Sequence, residues 1–169
     1  MGFVLSLALA GLVLATALPS HAQTAKPRKG LRVTYLLYSG RPNPTVVVTD
    51  SRQVAEIEKR LAGTLTAGGR VDAGEQHPVL GYNGIMIERL DALIGEGWLV
   101  VKDDMLRVEG GDVRLLRGQT GDLKSLTAFS KATVAVSREA AEIEDLLISL
   151  GADSGVIERA ALAEARVSQ

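Results

Sequence analysis

Few residues in this chain have the chemistry to do more than pack. It holds two histidines and no cysteine, so thiolate metal sites, cysteine nucleophiles and disulfides are closed to it. His21 belongs to an N-terminal segment expected to be removed, which leaves His77 as the imidazole of the mature protein. It lies in a polar loop, Gly74-Glu75-Gln76-His77-Pro78, and with Glu75 supplies fewer close ligands than a metal site needs. No serine stands in a G-x-S-x-G elbow to use it as a base, and neither a Walker loop nor a dinucleotide-binding glycine pattern occurs. Asp103 and Asp104 are neighbours in an expected turn, so their carboxyl groups point apart instead of converging on one bond. No catalytic residue, cofactor or metal is assigned, and a small hydrolase using carboxylates or His77 is kept as the alternative reading.

The other stretch with something to offer is Tyr38 to Pro44, YSGRPNP. Pro42 and Pro44 push the residues before them, Arg41 and Asn43, out of the helical region, so Arg41 to Pro44 is a stiff extended connector. Gly40 lets the chain turn into it. Such a connector is a rigid corner between two strands. It also presents the Arg41 guanidinium and the Asn43 amide to a partner, such as a carboxylate, at little ordering cost. With Tyr38 beside it and Tyr82 further on, Arg41, Asn43, Tyr38 and Tyr82 are the candidate binding residues.

The elements that must position these residues are legible in the hydrophobic pattern. Leu31 to Tyr38 and Thr45 to Thr49 read as strands on either side of the connector. Asp50 caps a helix with Gln53 in capping-box position, Val54, Ile57 and Leu61 on one stripe, Glu56 and Arg60 on the outer face, and Gly63 as its end. Residues 64–78 read as a loop. In VLGYNGIMIE, Asn83-Gly84 signals either a tight hairpin turn or a kinked strand, and both place Ile85 to Ile87 in a strand. Leu90 to Ile94 has room for a short helical turn.

From Trp98 to Leu116 the chain reads WLVVK, DD, MLRVE, GG, DVRLL, which predicts a three-stranded meander with Gly110-Gly111 as its second turn. Trp98, Val100 and Arg107 then share a face that is only partly polar and needs a cover, from a helix of this chain or from a partner. Leu123, Leu126 and Phe129 suggest a short helix, and Thr133 to Val136 a strand. Ser137 caps a helix over Arg138 to Leu150 with Ala140, Ile143, Leu146, Leu147 and Leu150 facing in and Gly151 closing it. A weaker Ala-rich helix is expected over 155–167.

Composition sets the remaining bounds. Residues 3–18 are an uncharged apolar run followed by Pro19 and Ser20-His21-Ala22, the pattern of a secretory signal cleaved after Ala22. No second run is long enough to span a bilayer. Residues 23–30 read as a flexible linker, and 31–169 as the folded domain. With 19 basic and 20 acidic residues the chain is nearly neutral, which argues against nucleic-acid binding. The expected partner is a protein or a small polar ligand. The expectation is therefore an exported single α+β domain, with an antiparallel or mixed sheet including a β-meander, two main amphipathic helices and a weaker C-terminal helix. Its function reads as a non-catalytic binding or interaction module, with a structural envelope component as a further alternative.

Two likenesses bear on this. SRQVAEIE from Ser51 matches SREAAEIE from Ser137 at six of eight positions, and each follows a valine-rich strand. A duplicated strand-to-helix unit predicts that the copies sit equivalently in the sheet; convergence on a short amphipathic helix accounts for the match as well. Separately, SGRPNP at Ser39 to Pro44 and LGYNG at Leu80 to Gly84 resemble a group of small uncharacterised proteins with S-G-R-P-N-P and L-G-Y-x-G segments. The resemblance implies that the two segments belong to one domain type, and it transfers no activity.

Overall fold

Buried and exposed residues alternate along Thr45–Val48 (β2), the two-residue period of a strand with one face in the core, and Leu31–Tyr35 (β1) keeps that period except that Thr34 is buried as well. In the computed structural model residues 29–37, 40–70, 81–116, 126–130 and 133–158 are described. The elements that follow are α1 (Ser51–Ala67), β3 (Gly69–Arg70), β4 (Ile85–Arg89), β5 (Trp98–Lys102), β6 (Met105–Glu109), β7 (Val113–Leu116), β8 (Leu126–Phe129), β9 (Val134–Val136) and α2 (Arg138–Asp153). Seven strands form one sheet in the order β2-β1-β4-β5-β6-β9-β3, with every pairing antiparallel. Strands β7 and β8 pair separately. Both helices pack on the same sheet face, where Ile57, Leu61 and Leu65 of α1 and Ala140, Ile143 and Leu147 of α2 meet Val33, Ile85, Leu99, Val101 and Leu106. The result is one α+β domain. None of its helices, among the described residues, is long and apolar enough to cross a membrane.

The sheet has an internal equivalence. A two-fold axis between Met86 of β4 and its partner Val100 of β5 carries Val33, opposite Ile87, onto Leu106, opposite Val101. It then carries Val46, opposite Val33, onto Ala135, opposite Leu106, and so Val47 onto Val136. The two strand-to-helix units thus occupy equivalent places, as duplication predicts. The helices follow suit, because Ile57, Glu58 and Leu61 are buried in α1 and Ile143, Glu144 and Leu147 in α2. Chain order is not equivalent: β4 comes after α1, whereas β5 comes before β6.

Several expectations are corrected. A meander is present, but it consists of β4, β5 and β6. Strand β7 does not turn back on β6; it pairs with β8, where a short helix was expected, and β6 pairs with β9. The cause is the pair Gly110-Gly111, which forms a crossing and not a hairpin turn. A Cβ on Gly97 would sit 2.1 Å from Gly111 O, and one on Gly110 would strike the Trp98 ring. Gly97 N–H donates to Asp112 O at 2.9 Å there, so the chain leaves the sheet across its own backbone.

Helix α1 runs through Gly63 to Ala67. Glycine costs a helix about 1 kcal/mol, less than the roughly 1.5–3 kcal/mol from burying Leu65 two residues on. Asp50 Oδ1 caps α1, accepting from Gln53 N at 2.8 Å, and the outer-face pair Arg60–Glu56 forms at 2.8 Å. Ser137 is the N-cap of α2 without a side-chain cap bond. Gly151 lies within α2, where a Cβ would meet the Tyr35 ring at 2.5 Å, and Leu146 is exposed. Asn83-Gly84 forms the kinked continuation of β4, and residues 90–94 are turns without a helix. Most of the C-terminal helix expected over 155–167, residues 159–167, lies outside the described residues.

On the sheet face away from the helices, Val100 and Val134 are buried on either side of Arg107. Arg107 forms an ion pair with Glu109 at 2.8 Å. This part of the face, around Arg107, is therefore covered, and not by α1 or α2.

Candidate functional site

The two segments singled out in the sequence meet at one end of the sheet. Leu36 joins them: its N–H donates to Gly84 O at 3.0 Å, and its carbonyl accepts from Asn83 N at 2.8 Å. Gly84 has φ +103°, and a Cβ there would sit 2.7 Å from Val101 O, so the close approach of this segment to β5 requires glycine. The connector is tied down at its base. Tyr35 N–H donates to Pro44 O at 3.0 Å, and Leu37 N–H donates to Asn43 Oδ1 at 2.9 Å. Thr45 Oγ1 donates to Asn43 O at 3.3 Å. Above that base Gly40, Arg41 and Pro42 are exposed.

Each candidate residue now has a place. Arg41 is exposed at the tip. Asn43 is half-buried, and its amide oxygen closes the loop, so the side chain first serves the corner. Tyr82 is fully buried and donates its hydroxyl to Glu144 Oε1, which removes it from the connector's surface. Its aromatic character and position between two glycines gave no sign of direction; only the pairing with α2 does. Tyr38 and His77 lie outside the described residues.

Sequence reasoning missed the two buried carboxylates, Glu58 (1% exposed) and Glu144 (0% exposed). Glu144 ties α2 to two other elements, accepting from Tyr82 through one oxygen and from Asp103 N, in the β5–β6 turn, at 2.8 Å through the other. Two acceptor bonds suit an ionised carboxylate. Asp103 is held there at φ 55°, a left-handed conformation that Asp tolerates better than most residues. Glu58 lies 3.5 Å from Arg89, which also forms a two-pronged pair with Asp91 at 3.0 and 3.1 Å. Burial would lower the Arg89 pKa, but its bond to Asp91 and the charges of Glu58, Asp91 and Glu96 raise it above the usual value. Burial would likewise raise Asp91, and the Arg89 bond and charge outweigh it to hold that carboxyl low. Burial pushes the Tyr35 phenol well above its usual pKa; its hydroxyl donates to Leu147 O at 2.6 Å. A signal for both glutamates was present, since Glu58 is four residues after Val54 and three before Leu61, inside the apolar stripe. Glu144 has the same spacing to Ala140 and Leu147.

The arrangement offers recognition groups, namely a cation on a stiff tip and, running from it, the outer strand β2. Among the described residues no group of three or more His, Asp or Glu is placed to hold a metal ion. Comparison with protein-family models, with curated proteins and with solved structures finds no match to this chain.

Proposed function

We propose that this chain is an exported, non-catalytic binding or interaction module whose contact surface is the Gly40–Pro44 connector with Arg41 at its tip. The observation that carries this reading is the Asn43 clamp, in which Asn43 Oδ1 accepts from Leu37 N at 2.9 Å and holds the base of a two-proline loop while Arg41 stays exposed. Backbone ordering entropy is settled on folding, so a partner meets a connector whose path is already set. Meeting of the connector with the 81–84 segment supports the reading further, because two separately recognised segments share one end of the sheet. Export is the expectation from residues 3–22 and belongs to the same proposal.

Two measurements test it. The protein immobilised and exposed to exported-fraction proteins should hold at least one partner that Arg41→Ala loses; an unchanged capture profile would count against the connector. N-terminal sequencing of the exported protein should begin at Gln23, and a chain beginning at Met1 would remove the export half of the proposal.

A further inference from the structure

Strand β2 is one edge of the seven-stranded sheet. Its hydrogen-bonding phase follows from Tyr35 N–H donating to Pro44 O: in an antiparallel ladder the bonded pairs alternate, so Val46 and Val48 turn their backbone groups toward β1. Thr45, Val47 and Thr49 therefore turn theirs outward. Val47 is 54% exposed, Thr45 and Thr49 are exposed, and no charged side chain stands between Arg41 and Asp50 to discourage pairing. The equivalent place in the other half is not open. There Val136, the counterpart of Val47, is covered by β3, with Gly69 opposite Val136 and Arg70 opposite Ala135. This sheet geometry has already accepted an added antiparallel strand at one of its two matching edges.

Charge narrows what the open edge would accept. Arg41 is exposed at one end, Arg52 is exposed just beyond the other, and Arg32, opposite Val47, keeps a half-exposed side chain. Arg32 and Glu88 offset each other as an ion pair at 3.7 Å, and Asp50 keeps its charge while its Oδ1 accepts from Gln53 N, so Arg41 and Arg52 together outnumber it and tip this edge to positive. A second copy of this chain would bring Arg41 and Arg52 to both sides of the junction. We infer that the outer edge of β2, with Arg41 at its end, takes an extended acidic peptide segment of a partner protein as an added antiparallel strand. This rests on the reading of the connector as a contact surface and adds the mode of binding and the class of partner.

The test uses short capped peptides alternating Val or Thr with Glu, and their Lys counterparts, titrated into the full folded domain and followed by heteronuclear NMR. The Glu peptide should shift the backbone amides of residues 44–49, and the Lys peptide should leave them unchanged. Val47→Pro removes an outward N–H and keeps the ladder to β1, so it should abolish the shifts while circular dichroism stays native. If that variant fails to fold, Thr45→Pro makes the same test at the next outward position. Arg41→Ala should weaken the Glu peptide by about tenfold, the effect of losing a charge-assisted bond. Binding that survives Val47→Pro but falls with Arg41→Ala overturns strand addition and leaves the connector reading standing. Binding lost with Val47→Pro but unaffected by Arg41→Ala does the reverse. Absence of Glu-peptide binding, or a dimer of the free protein that Val47→Pro dissolves, overturns the proposal.

Discussion

The two halves of this sheet solve the same construction problem and finish it differently. Each places a valine-rich strand third from the central β4–β5 junction, follows it with an amphipathic helix, and buries a glutamate one residue after the matching isoleucine. In the first half Glu58 meets the guanidinium of Arg89. In the second Glu144 meets a phenol and a backbone N–H. The outer edges differ as well, since β3 closes the second and no strand among the described residues pairs with the outer side of the first. Equal helix positions thus hold a buried carboxylate with different partners, a guanidinium in one half and a phenol with a backbone N–H in the other, and among the described residues only one of the two equal strand positions is capped by a further strand.

The sharpest way to break this comparison is to remove one partner from each glutamate. Arg89→Ala removes the guanidinium that meets the buried Glu58 carboxylate and should cost about 3–5 kcal/mol in urea unfolding. The double change Glu58→Leu with Arg89→Met should recover most of that loss, because matched apolar groups replace a buried pair at little cost. Tyr82→Phe removes one donor from Glu144 and leaves Asp103 N–H in place, so about 1–3 kcal/mol is expected. Equal losses at the two sites would mean that the ion pair and the neutral pair are worth the same.

Smaller effects refine the electrostatics. The folded-state pKa of Asp91 is depressed by Arg89, so its contribution is present above the usual carboxylate range and is lost as pH falls through the lower folded value. The stability gap between the native chain and Asp91→Asn, measured across an acid titration, should be open at neutral pH and close on acidification. Arg60→Ala, which breaks an exposed pair on α1, should leave the urea midpoint almost unchanged; a shift as large as that of Tyr82→Phe would contradict its placement on the solvent side.

How much of this was legible depends on whether a feature is local. The strands flanking the connector, the Asp50 cap, the Glu56–Arg60 pair and the Asp103-Asp104 hairpin follow from propensity and short-range pattern, and they stand where the pattern put them, except that β1 stops at Tyr35, short of the Tyr38 expected. The glycines misled because the same residue serves opposite ends. Gly63 is tolerated within α1 by the burial on either side of it, Gly151 makes room for the Tyr35 ring, and Gly110-Gly111 lets backbone cross backbone. Each of those uses is set by a distant segment, which local pattern does not encode. The connector's stiffness was readable from its prolines, but the Asn43 clamp needs the position of Leu37 N–H, and the burial of Tyr82 needs that of α2. Glu58 and Glu144 were within reach of a helical-stripe reading, since charge inside an apolar stripe marks a partner brought by the fold.

Amide hydrogen exchange at two positions addresses the difference between the edges most directly. In the free protein Val136 N–H should be protected by β3 while Val47 N–H exchanges as an open edge does, and adding the Glu peptide should slow Val47 with no change at Val136. Equal protection of the two amides before any peptide is added, or a Val47 amide indifferent to the peptide, would contradict the account.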